Sequence, residues 1–357
     1  MRTRRSIFLY PFSLVYGLVT TVRNFLYNIR ILKSRKFKVP VICVGNLTVG
    51  GTGKTPHTEY LAGLLRKNFN VAILSRGYKR KSHGFKIAAA NSPVTEVGDE
   101  PMQICKKYPD ITVAVDRNRV HGVSKLLKEK PGTDVIILDD GFQHRRIMPG
   151  LTILLSDFER PMAKDHLLPY GNLRESIKNI NRADLIIITK SPSDLSSDRQ
   201  KLISEGVNKA SWQNLYFTSV IYNYPIPVFD DIITETDVYS MSQREESGIV
   251  LVTGIANPEP LQDYLKKSFR EIIHLSFGDH HQFTLKDIGK IQSAWTTLKT
   301  PRRYIITTEK DAVRLREFTN IAEPIRSVCY FIPIGIKFLN DKDRFDTLIV
   351  EYVGKNK

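Results

Sequence analysis

The sequence predicts an α/β protein: a parallel sheet sandwiched between helices, then a second, smaller α/β domain, with an apolar helix in front of both. Three observations carry this. Short β-branched runs alternate with helical patterns from Val39 onward, as strands of a helix-covered parallel sheet do. Polar residues gather directly after those runs, at the strand ends where open α/β sheets bind ligands. The rhythm breaks once, at the Pro- and Asp-containing stretch from Tyr222 to Asp231 and the polar segment up to Ser247, and then resumes.

The first unit's strands fall at Val39 to Val44, Val71 to Leu74, Ile111 to Val115, Val135 to Leu138, Leu151 to Leu155 and Leu185 to Ile188. Tyr60, Leu61, Leu64 and Leu65 share one face of a connecting helix, as do Val120, Val123, Leu126 and Leu127. In the second unit the strands are Ile249 to Thr253, Ile272 to Leu275, Tyr304 to Thr307 and Val328 to Ile332. The expected partition is residues 1–30 as an N-terminal helix, 31–222 as the larger domain and 223–357 as the smaller. A chain of 357 residues exceeds what one hydrophobic core usually organises, which agrees with two domains.

A formal charge of +16, from 53 Lys and Arg against 37 Asp and Glu, favours anionic partners. Cys43, Cys105 and Cys329 are far apart, so neither a disulfide framework nor a thiolate metal site is expected. From Ser6 to Val22 the chain is apolar and uncharged, with arginines on both sides and with Pro11 and Gly17 inside. At the helical rise it would reach only about 25 Å, short of a bilayer core. Phe25, Tyr27, Arg30, Lys33, Arg35, Lys36 and Lys38 continue an aromatic and basic pattern that suits a membrane interface, so a helix lying in or partly entering a membrane is expected. No small-residue cleavage site follows it, which argues against a signal peptide.

The first strand runs into Gly45-Asn46-Leu47-Thr48-Val49-Gly50-Gly51-Thr52-Gly53-Lys54-Thr55-Pro56 and then a helix. Phosphate oxygens need several backbone N–H donors at close range, hence residues without bulk, and the helix adds its positive end. Lys54 is suited to neutralise β- and γ-phosphates and the Thr55 hydroxyl to ligate magnesium. Thr48 stands where the usual spacing has a glycine, so the loop, Thr48 to Thr55, is a variant. The expected architecture is therefore a P-loop NTPase-like α/β/α sandwich.

Val135 to Leu138 ends in Asp139 and Asp140, hard oxygen ligands for magnesium at a strand end. Asp99, in a predicted loop, is a candidate base for a substrate hydroxyl, and His280 could orient it. Gln143, His144 and Arg174 offer donors and cations of the kind that hold phosphate or sugar. Thr189-Lys190-Ser191 resembles the base-reading loop of GTPases, but Pro192 stands where the decisive acid belongs; a nucleotide-switch GTPase or metal-insertion chaperone is the first rival reading, and a membrane-anchored scaffold with a vestigial loop the second.

As a set these residues resemble the tetraacyldisaccharide 4'-kinases of lipid A biosynthesis. The resemblance is carried by the glycine-rich loop through Pro56, Ser75-Arg76-Gly77-Tyr78, Gly98-Asp99-Glu100-Pro101, Asp139-Asp140-Gly141-Phe142-Gln143-His144, Leu173-Arg174-Glu175, Gly254-Ile255-Ala256-Asn257-Pro258, Asp279-His280 and Thr308-Glu309-Lys310-Asp311-Ala312-Val313. It implies transfer of the ATP γ-phosphate to the 4'-hydroxyl of a membrane-embedded tetraacylated disaccharide 1-phosphate, giving lipid IVA. It also implies that Asp99 is the catalytic base with His280 as partner, and that Lys54, Thr55, Asp139, Asp140 and Glu175 serve ATP, magnesium and catalysis, with Thr55, Asp139, Asp140 and Glu175 near the metal. Gln143, His144 and Arg174 are implied near the substrate. The expected cofactors are ATP and Mg2+. The expected location is the cytoplasmic face of the bacterial inner membrane, held by the N-terminal helix, with no nucleic acid and no obligate protein partner.

Overall fold

The computed structural model describes residues 7–207, 209–229, 246–318 and 321–357. Most of the expected linker and the arginines preceding Ser6 lie outside the described residues.

Helix α1 (Tyr10–Asn28) leads to β1 (Val41–Asn46), α2 (Lys54–Leu65), β2 (Val71–Ser75), β3 (Lys86–Ile87), α3 (Val94–Val97), α4 (Asp99–Lys107), β4 (Thr112–Val115), α5 (Arg119–Glu129), β5 (Val135–Asp139), β6 (Leu151–Asp157), β7 (Leu185–Thr189), α6 (Ser197–Gly206) and β8 (Asn214–Tyr222). Then come β9 (Ile226–Pro227), β10 (Ser247–Thr253), α7 (Glu259–Leu265), β11 (Glu271–Ser276), α8 (Leu285–Thr297), β12 (Arg302–Thr308), α9 (Glu309–Leu315), α10 (Glu323–Arg326), β13 (Cys329–Ile332), β14 (Ile334–Phe338) and α11 (Lys342–Asn356).

The larger sheet has the order β14-β8-β7-β6-β1-β5-β2-β4-β3. Its seven inner strands run parallel, and β3 and β14 close the edges antiparallel. Every residue of β1, β2, β5, β6 and β7 is buried, which is why these strands read as unbroken apolar runs rather than alternating ones. The smaller sheet, β11-β10-β12-β13-β9, is parallel except for β9.

The strands divide the chain differently from the expected partition at 222/223. After β13 the chain returns to the larger sheet: β14 pairs with β8, and Phe345, Ile349 and Val353 of α11 enter the same core as Ile42 and Leu61. Their four-residue spacing gives α11 an apolar stripe, and an aromatic group of Tyr60, Tyr216, Phe338 and Phe345 joins it to the sheet.

Helix α1 has the reverse of a core helix's pattern. Its buried face is Ser13, Gly17, Thr20 and Asn24, spaced three or four apart, while Phe12, Leu14, Val15, Leu18, Val19 and Phe25 are all more than half exposed. The small residues permit close approach: a Cβ on Gly17 would stand 2.6 Å from Leu167 Cδ1. Ser13 donates to the Leu167 carbonyl at 3.0 Å and Tyr16 to the Arg174 carbonyl at 2.9 Å. Among the described residues, no helix is long and apolar enough to cross a membrane.

Candidate active site

The glycine-rich loop lies between β1 and α2, at the centre of the larger sheet. Gly50 and Gly53 hold φ of 101° and 80°, which a side chain would strain, whereas Thr48 is not in the left-handed region. Thr48 bridges antiparallel to Leu173, and the Val49 amide donates to the Asn172 carbonyl at 2.8 Å. Position 48 therefore needs strand-like backbone rather than glycine. Asn46 Nδ2 donates to Thr52 Oγ1 at 2.8 Å, Thr189 Oγ1 to the Thr52 carbonyl at 3.0 Å, and Lys190 to the Gly51 carbonyl. The loop's shape is thus held by the protein's own hydrogen bonds.

Behind the loop, the buried His57 of α2 joins the Gly53 carbonyl (Nδ1, 2.7 Å) to Thr218 Oγ1 (Nε2, 3.0 Å). A carbonyl only accepts, so Nδ1 carries the proton and the ring is neutral when Thr218 donates to Nε2. Burial lowers its pKa to about 4.

Strand β5 brings two carboxylates to the loop, and their surroundings separate them. Asp139 is buried, accepting from Thr58 (3.4 Å) and Ser75 (3.3 Å); burial, then Glu100 and Asp140, push its pKa upward. Asp140, at φ 52°, is 3.6 Å from Lys54 and 3.3 Å from Arg174. Burial raises its pKa, but Lys54 and then Arg174 outweigh that and hold it low. Arg174 also donates to Gln143 Oε1 at 2.8 Å, and Gln143 Nε2 reaches the Asn46 carbonyl at 2.9 Å, so Lys54, Asp140, Gln143 and Arg174 form one connected group. His144 is kept neutral by burial and then by Arg119, its pKa falling to about 4.

Glu175, expected near the metal, lies among cations and amides of the protein. It is 1% exposed and accepts from Arg23 (3.2 Å), Asn24 (2.9 Å), Asn179 (3.1 Å) and Arg182 (2.8 Å). With both oxygens engaged, it ties α1 to the loop that carries Arg174.

Asp99 lies not in a loop but at the first position of α4. Gly98, at φ 96°, turns the chain, and Asp99 and Glu100 suit the positive end of the helix. The second unit meets it there. His280 Nδ1 is 2.7 Å and Arg314 Nη2 2.5 Å from Asp99 Oδ2, and Lys310 Nζ is 3.1 Å from His280 Nε2. A lysine ammonium only donates, so Nε2 accepts and the Nδ1 proton points at Asp99. Burial pushes Asp99 upward, but the hydrogen bond from His280 and the charge of Arg314 prevail, holding it at about 2. A cavity of about 330 Å3 opens beside this pair, walled by Tyr78, Lys79, Lys81, Gly98, Asp99 and His280.

Sequence reasoning gave no site role to Arg314, Lys310 or Arg119. Arg119 is buried and donates to the backbone carbonyls of Asp116 and, at 3.1 Å, Asp139, bracing the end of β5. Its signal was the polar Asp116-Arg117 pair at the end of a strand. For Arg314 the signal was Thr308-Glu309-Lys310-Asp311, a helix start: Thr308 and Asp311 cap α9, and Arg314 follows one turn on.

The glycine-rich loop has the shape that holds a triphosphate, and the Asp99–His280 pair beside its cavity has a carboxylate able to accept the proton of a hydroxyl. By class the chain is a P-loop kinase. The sequence matches the family model described as Tetraacyldisaccharide-1-P 4'-kinase over residues 5–353. Relatives named tetraacyldisaccharide 4'-kinase include one from Bacteroides thetaiotaomicron, 47% identical over 98% of this chain and 93% of its own length. Another, from Phocaeicola vulgatus, is 46% identical over 98% and 95%. A crystal structure of the "apo" form of LpxK from Aquifex aeolicus in complex with ATP superposes with a TM-score of 0.74 at 30% identity, covering 96% of this chain and 98% of that one. The chain belongs to the tetraacyldisaccharide 4'-kinase family. It is an ATP-dependent lipid kinase of lipid A biosynthesis that phosphorylates the 4'-hydroxyl of tetraacyldisaccharide 1-phosphate.

Proposed function

We propose that this 4'-kinase works at the cytoplasmic face of the bacterial inner membrane, with α1 lying in the bilayer surface and the cleft opening onto it. The carrying observation is the reversed pattern of α1, small polar residues inward and large apolar ones outward, on a helix bonded to the Arg174 and Gln143 loops of the site. Exposed Arg30, Lys33, Arg35, Lys36 and Lys38 follow it, and suit anionic headgroups.

Within the cleft, the amides of Val49 to Gly53 and the Lys54 ammonium hold the phosphates of ATP, with Thr48 setting the loop's entry. Asp99 takes the proton of the 4'-hydroxyl, oriented by His280, whose own tautomer Lys310 fixes. Gln143, His144 and Arg174 face the acceptor sugar. The donor set fits magnesium: Thr55, Asp139 and Asp140 offer hard oxygens, and burial, then the nearby Glu100 and Asp140, raise the pKa of Asp139. Among the described residues no cluster of three or more His, Cys, Asp or Glu could hold a metal, so the ion would share these ligands with phosphate oxygens. When bound, magnesium neutralises charge developing on the transferred phosphoryl group. Glu175 is better suited to holding α1 than to the metal.

The test supplies labelled ATP, with or without magnesium, and the acceptor in anionic vesicles. Wild type should sediment with vesicles and label the lipid only with magnesium. Phe12→Asp/Leu18→Asp should stay in the supernatant yet label detergent-dispersed acceptor at a normal rate. Sedimentation of that variant with vesicles, or label transfer in the presence of chelator, would overturn the corresponding part.

A further inference from the structure

Helix α4 presents Asp99 at its first position and Gln103 and Lys107 one and two turns further along the same face. Neither side chain is part of the site described above, yet both bond to the helix that begins with Lys54. Gln103 Nε2 donates to Glu59 Oε1 at 2.7 Å, and Lys107 Nζ to Glu59 Oε2 at 2.6 Å. Glu59 is 3% exposed, four residues beyond Thr55 on α2, so both of its oxygens are committed to α4.

Lys107 makes a second contact. Its ammonium lies 3.2 Å from Glu309 Oε1, at the first position of α9. The same helix α9 supplies Lys310, which bonds His280, and Arg314, which bonds Asp99. Helix α4 is therefore held at both ends: at Asp99 by groups of the second unit, and at Lys107 by α2 and α9 together. One cation lies between two carboxylates on different helices. Burial, then Glu309, push the Glu59 carboxyl upward, and Lys107 opposes that shift. Lys107 is the cation that joins the two acids, and so the helices that carry them.

We propose that Lys107 is a positioning residue that, with Gln103 and Glu59, sets the offset between the acceptor-side Asp99 and the phosphate loop. It touches neither ATP nor acceptor: at the helical rise it is about 12 Å from Asp99 along α4. Phosphoryl transfer gains its rate from alignment of acceptor and donor, and misplacement by about 1 Å costs on the order of a hundredfold. Loss of Lys107 therefore slows transfer while leaving the phosphate loop, bonded within the larger sheet, able to hold nucleotide.

The inference rests on the reading of Asp99 as the acceptor-side base, so Asp99→Asn is assayed in parallel. In Lys107→Met, kcat should fall ten- to a hundredfold while the Kd for ATP stays within about twofold, and Lys107→Arg, which keeps the charge and the reach, should recover most of the rate. Lys107→Met/Glu59→Gln leaves no buried acid on α2 without its cation and should show the same kcat loss at an undiminished folded fraction; it carries the test should the single variant fail to fold. Wild-type kcat in Lys107→Met or in the double variant overturns the positioning role. So does a parallel loss of kcat and ATP affinity, which marks a general structural role. Full activity in Asp99→Asn would instead overturn the reading beneath it.

Discussion

The two halves of the proposed site are built in different ways. The donor side is local: strand, loop and helix from Val41 to Leu65 supply the amides, Lys54 and Thr55, and the neighbouring strand β5 adds two carboxylates. The acceptor side is assembled from distant pieces, with Asp99 bonded to His280 and Arg314, 181 and 215 residues further along the chain. A locally built half can be shaped before substrate binds. A half assembled across two sheets depends on how those sheets meet, and so can respond to the acceptor.

The largest expected effect separates the two halves. Asp99→Asn should lower kcat by about a thousandfold, within the range for loss of a general base, and leave the Kd for ATP within about twofold. Lys54→Ala should weaken ATP binding itself, since it deletes a charge meant for the phosphates. Nucleotide binding measured without acceptor, beside single-turnover transfer rates, checks both. If Asp99→Asn weakened ATP binding as much as Lys54→Ala does, the division into halves would be wrong.

Glu175 sharpens the boundary, because it lies beside Arg174 in sequence yet holds α1. Glu175→Gln removes the charge that satisfies Arg23 and Arg182 and should cost about 2 kcal/mol, read as a lower urea midpoint. The magnesium concentration giving half-maximal rate should not move. A shift in that concentration with unchanged stability would return Glu175 to the metal.

The same contrast governs what could be read from the sequence. The donor half was legible because its chemistry is contiguous: glycines, Lys54 and Thr55 between an apolar run and a helix, and Asp139-Asp140 at the end of another run. The acceptor half was not. Nothing near Asp99 in sequence signals Arg314, and Asp99 itself looked like a loop residue, because Pro101 hid a helix start that tolerates proline in its first turn. The return of β14 and α11 to the larger sheet was invisible for the same reason: pairing between β8 and β14 leaves no local trace. Helix α1 was legible as unusual, and the structure adds that its few small polar residues, rather than its many large apolar ones, face the protein.

The smallest expected effect tests whether the donor half is preformed by His57. Its pKa is about 4 when folded, against an ordinary value near 6.5 for an unfolded chain. A histidine lowered in this way is neutral in the folded protein, so its contribution to stability is complete above pH 6.5. That contribution is lost as pH falls from 6.5 toward 4, because the unfolded chain takes up the proton first. Between pH 7 and pH 5.5 the loss should be about 1 kcal/mol. In His57→Asn, whose amide can still donate to the Gly53 carbonyl, the part of the pH dependence due to residue 57 should vanish, while that of His144 persists in both proteins. Urea titrations of the two at pH 7 and 5.5 give the difference. Equal slopes would show that His57 is not held neutral behind the loop, and the donor half would then depend on its surroundings as much as the acceptor half does.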